Sequence, residues 1–272
     1  MIQLEKNDLR KLQLTELEIL KEFDRICRKN NIRYTLTGGT LLGAVRHGGF
    51  IPWDDDADVS MLRSEYEKFR KACEKDLREG YYFQDMRNTE GYRWGYGKLR
   101  KKGTLFLREN QEHMPYEQGV FIDIFPRDGV PDGLINRKWH KLECFCVRKI
   151  LWSEVGQIAD SRSYMRIWFH FLSKVAGKHI YKIYDKLVKR SSKNNTQLVR
   201  NLTFPVPNGK DGYLRKWYEE SIEIEFEGYK FMVNKSYREW LEQEFGDYME
   251  LPPLEKRKVH PVVKIILDDL AI

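Results

Sequence analysis

The chain has 272 residues, of which 41% are hydrophobic and 13% aromatic, enough for the core of one large domain or two small ones. Its formal net charge of +7 favours anionic partners but does not choose among nucleotides, nucleic acid, phosphorylated polymers and anionic lipid. The four cysteines form no CxxC pair and are too few for a disulfide scaffold, which makes a reducing cytosol the simplest location.

Neither secretion nor membrane insertion is expected from the sequence. The N-terminal segment MIQLEKNDLRKLQL has no apolar region of the kind that signal peptides carry. No run of roughly 18 consecutive apolar residues occurs. We therefore expect a cytoplasmic protein.

The first predicted element is an amphipathic helix over residues 8–29. Its apolar residues fall on one side of a helical projection and indicate a helix packed on the core: Leu9, Leu12, Ile19, Leu20, Phe23 and Ile26.

A glycine turn follows, at Gly38 and Gly39. A short strand is predicted before it, over residues 33–37, and a helix after it, over residues 40–46 with Thr40 near its N-terminus. Because the N-terminus of a helix is a ready anion-binding site, a phosphate fits at this turn.

An acidic run comes next and contains Asp54, Asp55, Asp56 and Asp58. Apolar residues alternate with the last two aspartates and predict a strand on which both carboxylates leave the same face. Since Mg²⁺ is usually bound by one or two carboxylates together with substrate phosphates, the turn and the aspartates together predict a phosphoryl-transfer centre.

A calcium EF-hand is the alternative for the acidic run, because the aspartates and Glu65 match its ligand spacing. Val59 stands where that loop needs glycine, and Gly48, Gly49 and Pro52 disrupt the helix that would enter it. The EF-hand is therefore rejected.

A capping-box pattern follows, in which Ser64 is the predicted N-cap and Glu67 its partner, and it opens a helix that ends near residue 78. Strands are then predicted over residues 81–86, 94–100, 104–107 and 119–125. In the last strand Asp123 is the single charge among hydrophobic residues, and a carboxylate in that position needs a partner.

Cationic and aromatic side chains share the strand over residues 94–100. Lys98 and Arg100 are candidates to contact phosphates, with exposed strand cations as the alternative reading. His47 and His260 lack metal-ligand spacing to any partner and are not expected to form a zinc site.

Positive charge is concentrated between residues 137 and 193, where fourteen Lys or Arg stand against four Asp or Glu. Interleaved aromatics predict two or three basic helices with breaks at Gly156 and Gly177. The region reads either as a helical subdomain with solvated basic faces or as a contact for an anionic membrane surface or substrate.

The C-terminal part begins after a loop predicted over residues 191–195. A hairpin is predicted from strands over residues 222–226 and 229–233, followed by a helix over residues 236–245. The tail over residues 246–260 is too polar and proline-rich to be core.

The stretch GGTLLGAVRHGGFIPWDDDADV resembles the signature of the LicD family, bacterial phosphocholine transferases related to fukutin-type sugar phosphotransferases. The resemblance continues through FIDIFPRDG and FGDYMELPP and covers nearly the whole chain, with residues 137–208 its least distinctive part. The family is similar to nucleotidyltransferases, whose pattern of a glycine turn, a D-x-D strand and a third carboxylate is matched here; Ala57 replaces the bulkier aliphatic residue common between the two aspartates.

The resemblance implies an α+β fold: a nucleotidyltransferase-like mixed-sheet core with flanking helices over residues 1–130. A basic helical subdomain is expected over residues 131–205, and residues 206–272 should form a hairpin, helix and tail that pack back on the core.

The resemblance also implies transfer of phosphocholine from CDP-choline to a hydroxyl of a lipid-linked cell-surface glycan precursor of teichoic acid or lipopolysaccharide, with release of CMP. Asp56, Asp58 and Asp123 would be catalytic and hold Mg²⁺, with Mn²⁺ as the alternative ion, and Asp54 or Asp123 would serve as base. The expected phosphate-binding residues are Gly38, Gly39, Thr40, Arg46 and Lys98.

Choline recognition should depend on aromatic faces, because a quaternary ammonium has no N–H to donate. The candidates are Trp53, Trp94 and Tyr96. The alternatives to phosphocholine transfer are nucleotidyl transfer, which the same metal site would serve, and a basic nucleic-acid-binding module, which no recognised motif supports. We expect no nucleic-acid partner, and a cytoplasmic protein with peripheral contact to the anionic inner face of the cell membrane.

Overall fold

A computed structural model describes residues 4–175, 177–192, 195–257 and 260–267. The helices of this part of the chain are α1 Lys6–Lys29, α2 Gly38–His47, α3 Arg63–Asp76, α4 Leu134–Ala159, α5 Ser163–Val175, α6 Gly177–Ser192 and α7 Tyr237–Phe245. The strands are β1 Thr35–Leu36, β2 Asp58–Leu62, β3 Tyr81–Gln84, β4 Gly97–Lys101, β5 Leu105–Arg108, β6 Phe121–Val130, β7 Leu198–Arg200, β8 Tyr213–Leu214, β9 Ser221–Phe226, β10 Tyr229–Asn234 and β11 Val262–Ile266.

The central sheet has seven strands, with the order β1-β2-β6-β4-β3, and β7 and β8 extend it from β6. β2 and β6 are parallel, and the other neighbouring pairs are antiparallel. Every residue of β6 is buried, because β6 has strands on both sides and covered faces. The predicted α+β class with a mixed sheet and flanking helices is confirmed.

Helix α1 covers the sheet with the predicted apolar face. Leu12, Ile19, Leu20, Phe23 and Ile26 are fully buried. The predicted hairpin is also present as β9 and β10, with Glu227 and Gly228 both at positive φ in the turn between them.

Several boundaries differ from the sequence predictions. Helix α2 begins at Gly38 rather than at Thr40, and β2 begins at Asp58, so Asp56 precedes the strand instead of lying on it. Helix α3 begins at Arg63 directly after β2, with Leu62 at the cap position and no side-chain cap hydrogen bond. The predicted N-cap Ser64 is therefore wrong, because it lies inside the first turn.

The basic region forms three helices, α4 to α6, in agreement with the two or three predicted. The break predicted at Gly156 is wrong, because α4 continues to Ala159. A Cβ at Gly156 would lie 2.8 Å from the Phe169 ring, so this glycine allows α4 and α5 to pack closely. The loop predicted over residues 191–195 is shortened by α6, which ends at Ser192, and residues 193–194 lie outside the described residues.

Two apolar clusters lie in the described residues. The larger joins α1, the sheet, the β9–β10 hairpin and α7, including Phe226, Phe231 and Trp240. The smaller lies within and beside the basic helices: Cys144, Val147, Leu151, Ile180, Tyr184, Leu187, Val188 and Leu202. The boundaries at residues 130 and 205 stay a prediction. Among the described helices, none combines the length and the apolar composition that a bilayer span requires.

Candidate active site

The centre of the candidate site is a row of three side chains across adjacent strands. Asp58 of β2 is the register partner of Asp123 of β6, and Asp123 is the register partner of Lys98 of β4. Register partners point to the same face of a sheet, so the three side chains lie next to one another. Lys98 forms a buried salt bridge with Oδ1 of Asp123. The prediction that Asp123 requires a partner is thus confirmed, and Lys98 contacts a carboxylate here.

The glycine turn fits directly against the acidic run. Gly38 has a φ of +58°, and a Cβ built on it would lie 2.9 Å from Oδ2 of Asp58. A Cβ on Gly39 would lie only 2.3 Å from Oδ2 of Asp54. The absence of side chains at these two positions lets two carboxylates approach the N-terminus of α2, where the helix carries partial positive charge.

The backbone around the acidic run is fixed by polar side chains. The hydroxyl of Thr40 accepts a hydrogen bond of 2.7 Å from the backbone N–H of Asp58. The amide of Gln13 donates to the carbonyl oxygen of Ile51 at 3.3 Å and to that of Asp54 at 3.0 Å. Thr40, predicted to contact phosphate, therefore anchors the first residue of β2.

The site also contains an arginine and a histidine that the sequence analysis did not assign to it. Arg108 of β5 donates from Nη2 to Oδ2 of Asp56 at 3.3 Å. His260 donates from its backbone N–H to Oδ2 of Asp55 at 3.1 Å, and its Nδ1 lies 2.9 Å from Oδ1 of the same carboxylate. Its Nδ1 also lies 3.6 Å from Oδ2 of Asp56.

His260 has possible metal-ligand partners in space that its spacing in the sequence did not show, while the absence of a zinc site stays a prediction. Within the described residues, one ligand atom each of Asp55, Asp56 and His260 lie within 4.8 Å of one another, close enough to share a cation. The histidine reaches the acidic run because β11 pairs with β5 and brings the C-terminal segment back. His47, by contrast, contacts Arg46 and Trp53.

Burial and mutual repulsion oppose ionisation of Asp54, Asp56 and Asp58. They raise the pKa of Asp54 to about 8, first by burial and then by the charges of Asp56 and Asp55. The pKa of Asp58 is raised well above its usual value for the same reasons. The pKa of Asp56 is also raised by burial, although Arg108 and His260 act in the opposite direction.

Three buried carboxylate oxygens lack a hydrogen-bond partner in the part of the chain that the structure describes, and two of them belong to the acidic run or interact with it: Oδ1 of Asp58 and Oε2 of Glu16. Glu16 lies on α1, is 2% exposed, and has its pKa raised by burial and by the acidic run. Carboxylates that repel one another and keep a free oxygen are suited to a divalent cation, and Mg²⁺ prefers oxygen ligands. Asp56, Asp58 and Asp123 offer the type of ligand that the predicted ion prefers, but among the described residues the ligand atoms that lie within 4.8 Å of one another are those of Asp55, Asp56 and His260, so the set Asp56, Asp58 and Asp123 stays a prediction.

A cavity of about 300 Å³ lies beside the row and includes Lys98 and Arg108 in its wall. Five cationic side chains line it, and none of its lining residues is an aspartate or glutamate: Arg93, Lys98, Arg100, Arg108 and Arg148. Six aromatic side chains line it as well: Trp94, Tyr96, Phe106, Phe121, Trp152 and Phe204. Its chemistry suits an anionic ligand with a flat ring.

A second cavity of about 260 Å³ shares residues 94–96 with the first. Its wall includes the rings of Tyr66, Tyr181 and Tyr184 together with charged side chains of both signs, namely the carboxylates Asp85 and Asp185 and the cations Arg63, Arg87 and Lys182. The first cavity is thus lined by charged side chains of one sign, and the second by both.

The remaining predicted site residues lie in different surroundings. Trp94 and Tyr96 are close together, with ring centroids 6.4 Å apart, and line both cavities. Trp53 lines neither; the guanidinium of Arg257 lies 4.3 Å from its ring centroid. Arg46 lies in the last turn of α2, about 12 Å along the helix from Gly38, and donates to the carbonyl oxygens of Tyr248 at 2.9 Å and Glu250 at 3.1 Å.

Comparison with known proteins identifies a family that this chain matches. Residues 31–150 match the family described as LicD/FKTN/FKRP, nucleotidyltransferase domain. The chain is 31% identical over 267 residues to the lipopolysaccharide cholinephosphotransferase LicD of Haemophilus influenzae, covering 95% of this chain and 98% of that protein. It is 60% identical over 101 residues to the human ribitol 5-phosphate transferase FKRP, covering 36% of this chain and 18% of that protein.

Proposed function

The chain belongs to the LicD/FKTN/FKRP family and is a phosphotransferase, and we propose that it transfers phosphocholine from CDP-choline to a hydroxyl of a cell-surface glycan precursor, releasing CMP. The observation that carries the proposal is the position of the Asp58, Asp123 and Lys98 row next to an electropositive aromatic cavity. Phosphoryl transfer requires carboxylates that can bind a metal ion and, next to them, cationic side chains that can bind phosphates.

We assign Mg²⁺ binding to Asp56, Asp58 and Asp123, with Mn²⁺ as the alternative ion. When bound, the ion neutralises charge on the diphosphate and on the departing CMP. Lys98 holds Asp123 in place through their salt bridge, and Arg108 holds Asp56. Arg108 also extends positive charge from the carboxylates into the cavity wall, and Lys98 adds part of a charge there, because burial lowers its pKa to about 7.

The cytidine diphosphate part of the donor is assigned to the cationic cavity. Lys98 and Arg108 line the part next to the carboxylates and are placed to contact phosphate oxygens. Arg93 and Arg100 already bond to Glu154 and Gln84, so they shape the wall and add to its positive potential. The aromatic rings supply stacking surface for the base.

The choline group is assigned to the shared wall formed by Trp94 and Tyr96. A cavity lined by five cations and no carboxylate repels a quaternary ammonium, whereas the second cavity offers three tyrosine rings and two carboxylates beside its three cations. Tyr96 packs on Phe125 with ring centroids 4.7 Å apart, so its ring is held firmly. Trp94 is therefore the ring with more surface to offer.

Asp54 is the proposed general base for the acceptor hydroxyl. It is half-buried next to Gly39, whereas Asp123 uses Oδ1 in its salt bridge with Lys98. The ionised form of Asp54, whose share rises as the pH approaches its pKa of about 8, would accept the hydroxyl proton as the oxygen attacks the phosphorus next to choline, and CMP would leave on the opposite side.

The proposed acceptor class is supported by the relative that matches nearly the whole chain, which is named for lipopolysaccharide. A lipid-linked precursor of lipopolysaccharide or teichoic acid is the proposed acceptor. The local match to a ribitol 5-phosphate transferase makes CDP-ribitol the second candidate donor, at the same carboxylates.

Purified protein incubated with acceptor and CDP-choline, CDP-ribitol or CTP tests the donor. We expect CMP from CDP-choline in the presence of Mg²⁺ and none after chelation, without any requirement for nucleic acid. Faster CMP release from CDP-ribitol than from CDP-choline would identify CDP-ribitol as the donor instead. Pyrophosphate from CTP, with no turnover of either diphosphate donor, would identify nucleotidyl transfer instead.

A further inference from the structure

Helices α4 and α5 carry a row of large apolar side chains that face solvent. Four on α4 are between 48% and 74% exposed: Ile135, Trp139, Leu142 and Phe145. Four on α5 are between 51% and 72% exposed: Tyr164, Ile167, Trp168 and Phe171. We call these eight residues the outer face.

The spacing of the outer face shows that it consists of two continuous helical stripes. On α4 its residues follow one another by four, three and three positions, and on α5 by three, one and three, so each set lies on one side of its helix. The opposite side of α4 is already packed, because Cys144, Val147 and Leu151 are buried. The outer face is therefore additional to the core, and soluble monomers rarely expose an apolar surface of this kind.

The two helices also carry an excess of positive charge. Residues 134–175 contain eight Lys or Arg and three Asp or Glu. All three acidic side chains are in ion pairs: Glu143 with Arg190, Glu154 with Arg93, and Asp160 with Arg162. The net charge of this surface is thus positive, which favours an anionic partner.

Cationic side chains lie close to aromatic rings of these two helices. The ammonium of Lys149 lies 5.7 Å from the ring centroid of Phe145, 5.7 Å from that of Trp152 and 5.8 Å from that of Phe169. Trp168 and Phe171 are stacked, with ring centroids 6.0 Å apart. Exposed tryptophans flanked by lysines and arginines are the composition of helices that lie in the headgroup region of a bilayer.

The same helix forms part of the donor cavity. Arg148, Leu151 and Trp152 of α4 line the cationic cavity, while the outer face continues along α4. A bilayer that contacts the outer face would thus lie next to the helix that forms the cavity wall.

We propose that the outer face of α4 and α5 docks on a bilayer containing anionic lipid. The aromatic side chains lie at the level of the headgroups, and the surrounding cations contact lipid phosphates. The docking itself does not depend on the identity of the donor. Its benefit, that the bilayer would bring a lipid-linked acceptor close to the active site, rests on the proposed function. A second copy of the chain is the competing occupant, and the test separates the two.

The test is cosedimentation of the full chain with vesicles of phosphatidylcholine alone or mixed with phosphatidylglycerol, at low and high salt. We expect binding to the mixed vesicles that falls as salt rises. The double variant Trp139→Ser and Trp168→Ser should bind at least about tenfold more weakly, because two large rings no longer enter the interface. Tyr229→Ser, which removes a 45% exposed ring on β10, is the matched control and should bind like the wild type.

Two readouts keep this proposal separate from the function and from dimerisation. Turnover with a water-soluble acceptor should be unchanged in the double variant, and sedimentation velocity without vesicles should show the same mass for the wild type and the variant. Equal binding to both vesicle types, no loss in the double variant, or a wild-type dimer that the double variant abolishes would overturn the docking. Vesicle binding without any transferase activity would leave the docking intact and refute the proposed function.

Discussion

Replacing Asp54 with asparagine should stabilise the protein when no metal is present. The carboxylate of Asp54 lies against Gly39 among like charges, and burial and those charges raise its pKa to about 8. At neutral pH folding therefore has to protonate Asp54, which the unfolded chain keeps ionised, and this costs folding free energy; an amide of the same shape removes that cost.

The magnitude follows from the difference between the folded pKa and the ordinary value of 3.8. At pH 7 about three pKa units separate the two states, which sets an upper limit of about 4 kcal/mol. Asp54 is only half-buried, so solvent screening lowers the expected gain in the free energy of unfolding to about 2 kcal/mol. For a chain of this size, that corresponds to a rise in Tm of roughly 4 to 8 °C.

The pH dependence has a defined sign. Between pH 4 and 8 the folded protein binds a proton at Asp54 that the unfolded chain releases, so the metal-free wild type gains stability as the pH falls through about 8. Asp54→Asn should lose this part of the slope. Mg²⁺ should stabilise the wild type more than the variant, because it offsets the same charge.

Thermal melting followed by circular dichroism, in chelator and in Mg²⁺, measures these differences. Glu227→Gln is the matched control, because Glu227 bonds to Arg10 and to the backbone N–H of Phe50 and its pKa is lowered. That control should lower the Tm. If Asp54→Asn melts in chelator at or below the wild-type temperature, the acidic run is not strained in the way we describe.

Asp58→Asn and Asp123→Asn should each reduce CMP release from CDP-choline by at least about a hundredfold with the fold intact, because an amide keeps the shape and loses the charge that binds metal; near-wild-type turnover in either variant would remove that carboxylate from the metal site. Trp94→Leu should weaken CDP-choline binding in calorimetry by about 10- to 30-fold and leave CTP binding nearly unchanged, whereas Trp53→Leu, outside both cavities, should affect neither ligand. Equal losses for both ligands with Trp94→Leu would place the choline group elsewhere. Gly39→Ala should lower turnover strongly, because its methyl group would lie 2.3 Å from a carboxylate oxygen of the acidic run; an unchanged rate would show that the close approach is not needed.

The parts of the fold that depend on local pattern were predictable. Helix α1 follows from the spacing of its apolar residues, and the β9–β10 hairpin follows from Glu227 and Gly228 between two alternating runs. The strands β7 and β8, with three and two residues, are too short to show a period. The pairing of β7 with β6 and of β8 with β7 is set by tertiary contacts that the local sequence does not encode.

Two predictions made from single residues, an N-cap at Ser64 and a helix break at Gly156, were wrong because tertiary packing outweighed the local preference. Ser64 has the residue type and the partner of an N-cap, but β2 continues into α3 without a connecting residue and places it inside the helix. Gly156 resembles a helix break, yet its missing side chain is used for the contact between α4 and α5. In both cases packing outweighed a local preference of about 1 kcal/mol.

The acidic residues of the candidate site could be predicted from the sequence, but the side chains that they contact could not. The acidic run and Asp123 stand out because like charges and an aspartate in a buried strand are costly without a partner. That Lys98 is this partner depends on the β4–β6 register, and that His260 reaches Asp55 depends on the β5–β11 pairing. Neither register has a signal in the sequence, because both join segments far apart in the chain.

The most direct test of the central claim follows the phosphorus atom that is transferred. CDP-choline labelled at the phosphate next to choline would be incubated with the protein, Mg²⁺ and a lipid-linked glycan precursor, and the products separated. We predict that the label appears on the glycan, in equal amount to unlabelled CMP, and that Asp123→Asn abolishes both. Label recovered as free phosphocholine, with cytidylate attached to the acceptor, would contradict phosphocholine transfer and identify the reaction as nucleotidyl transfer.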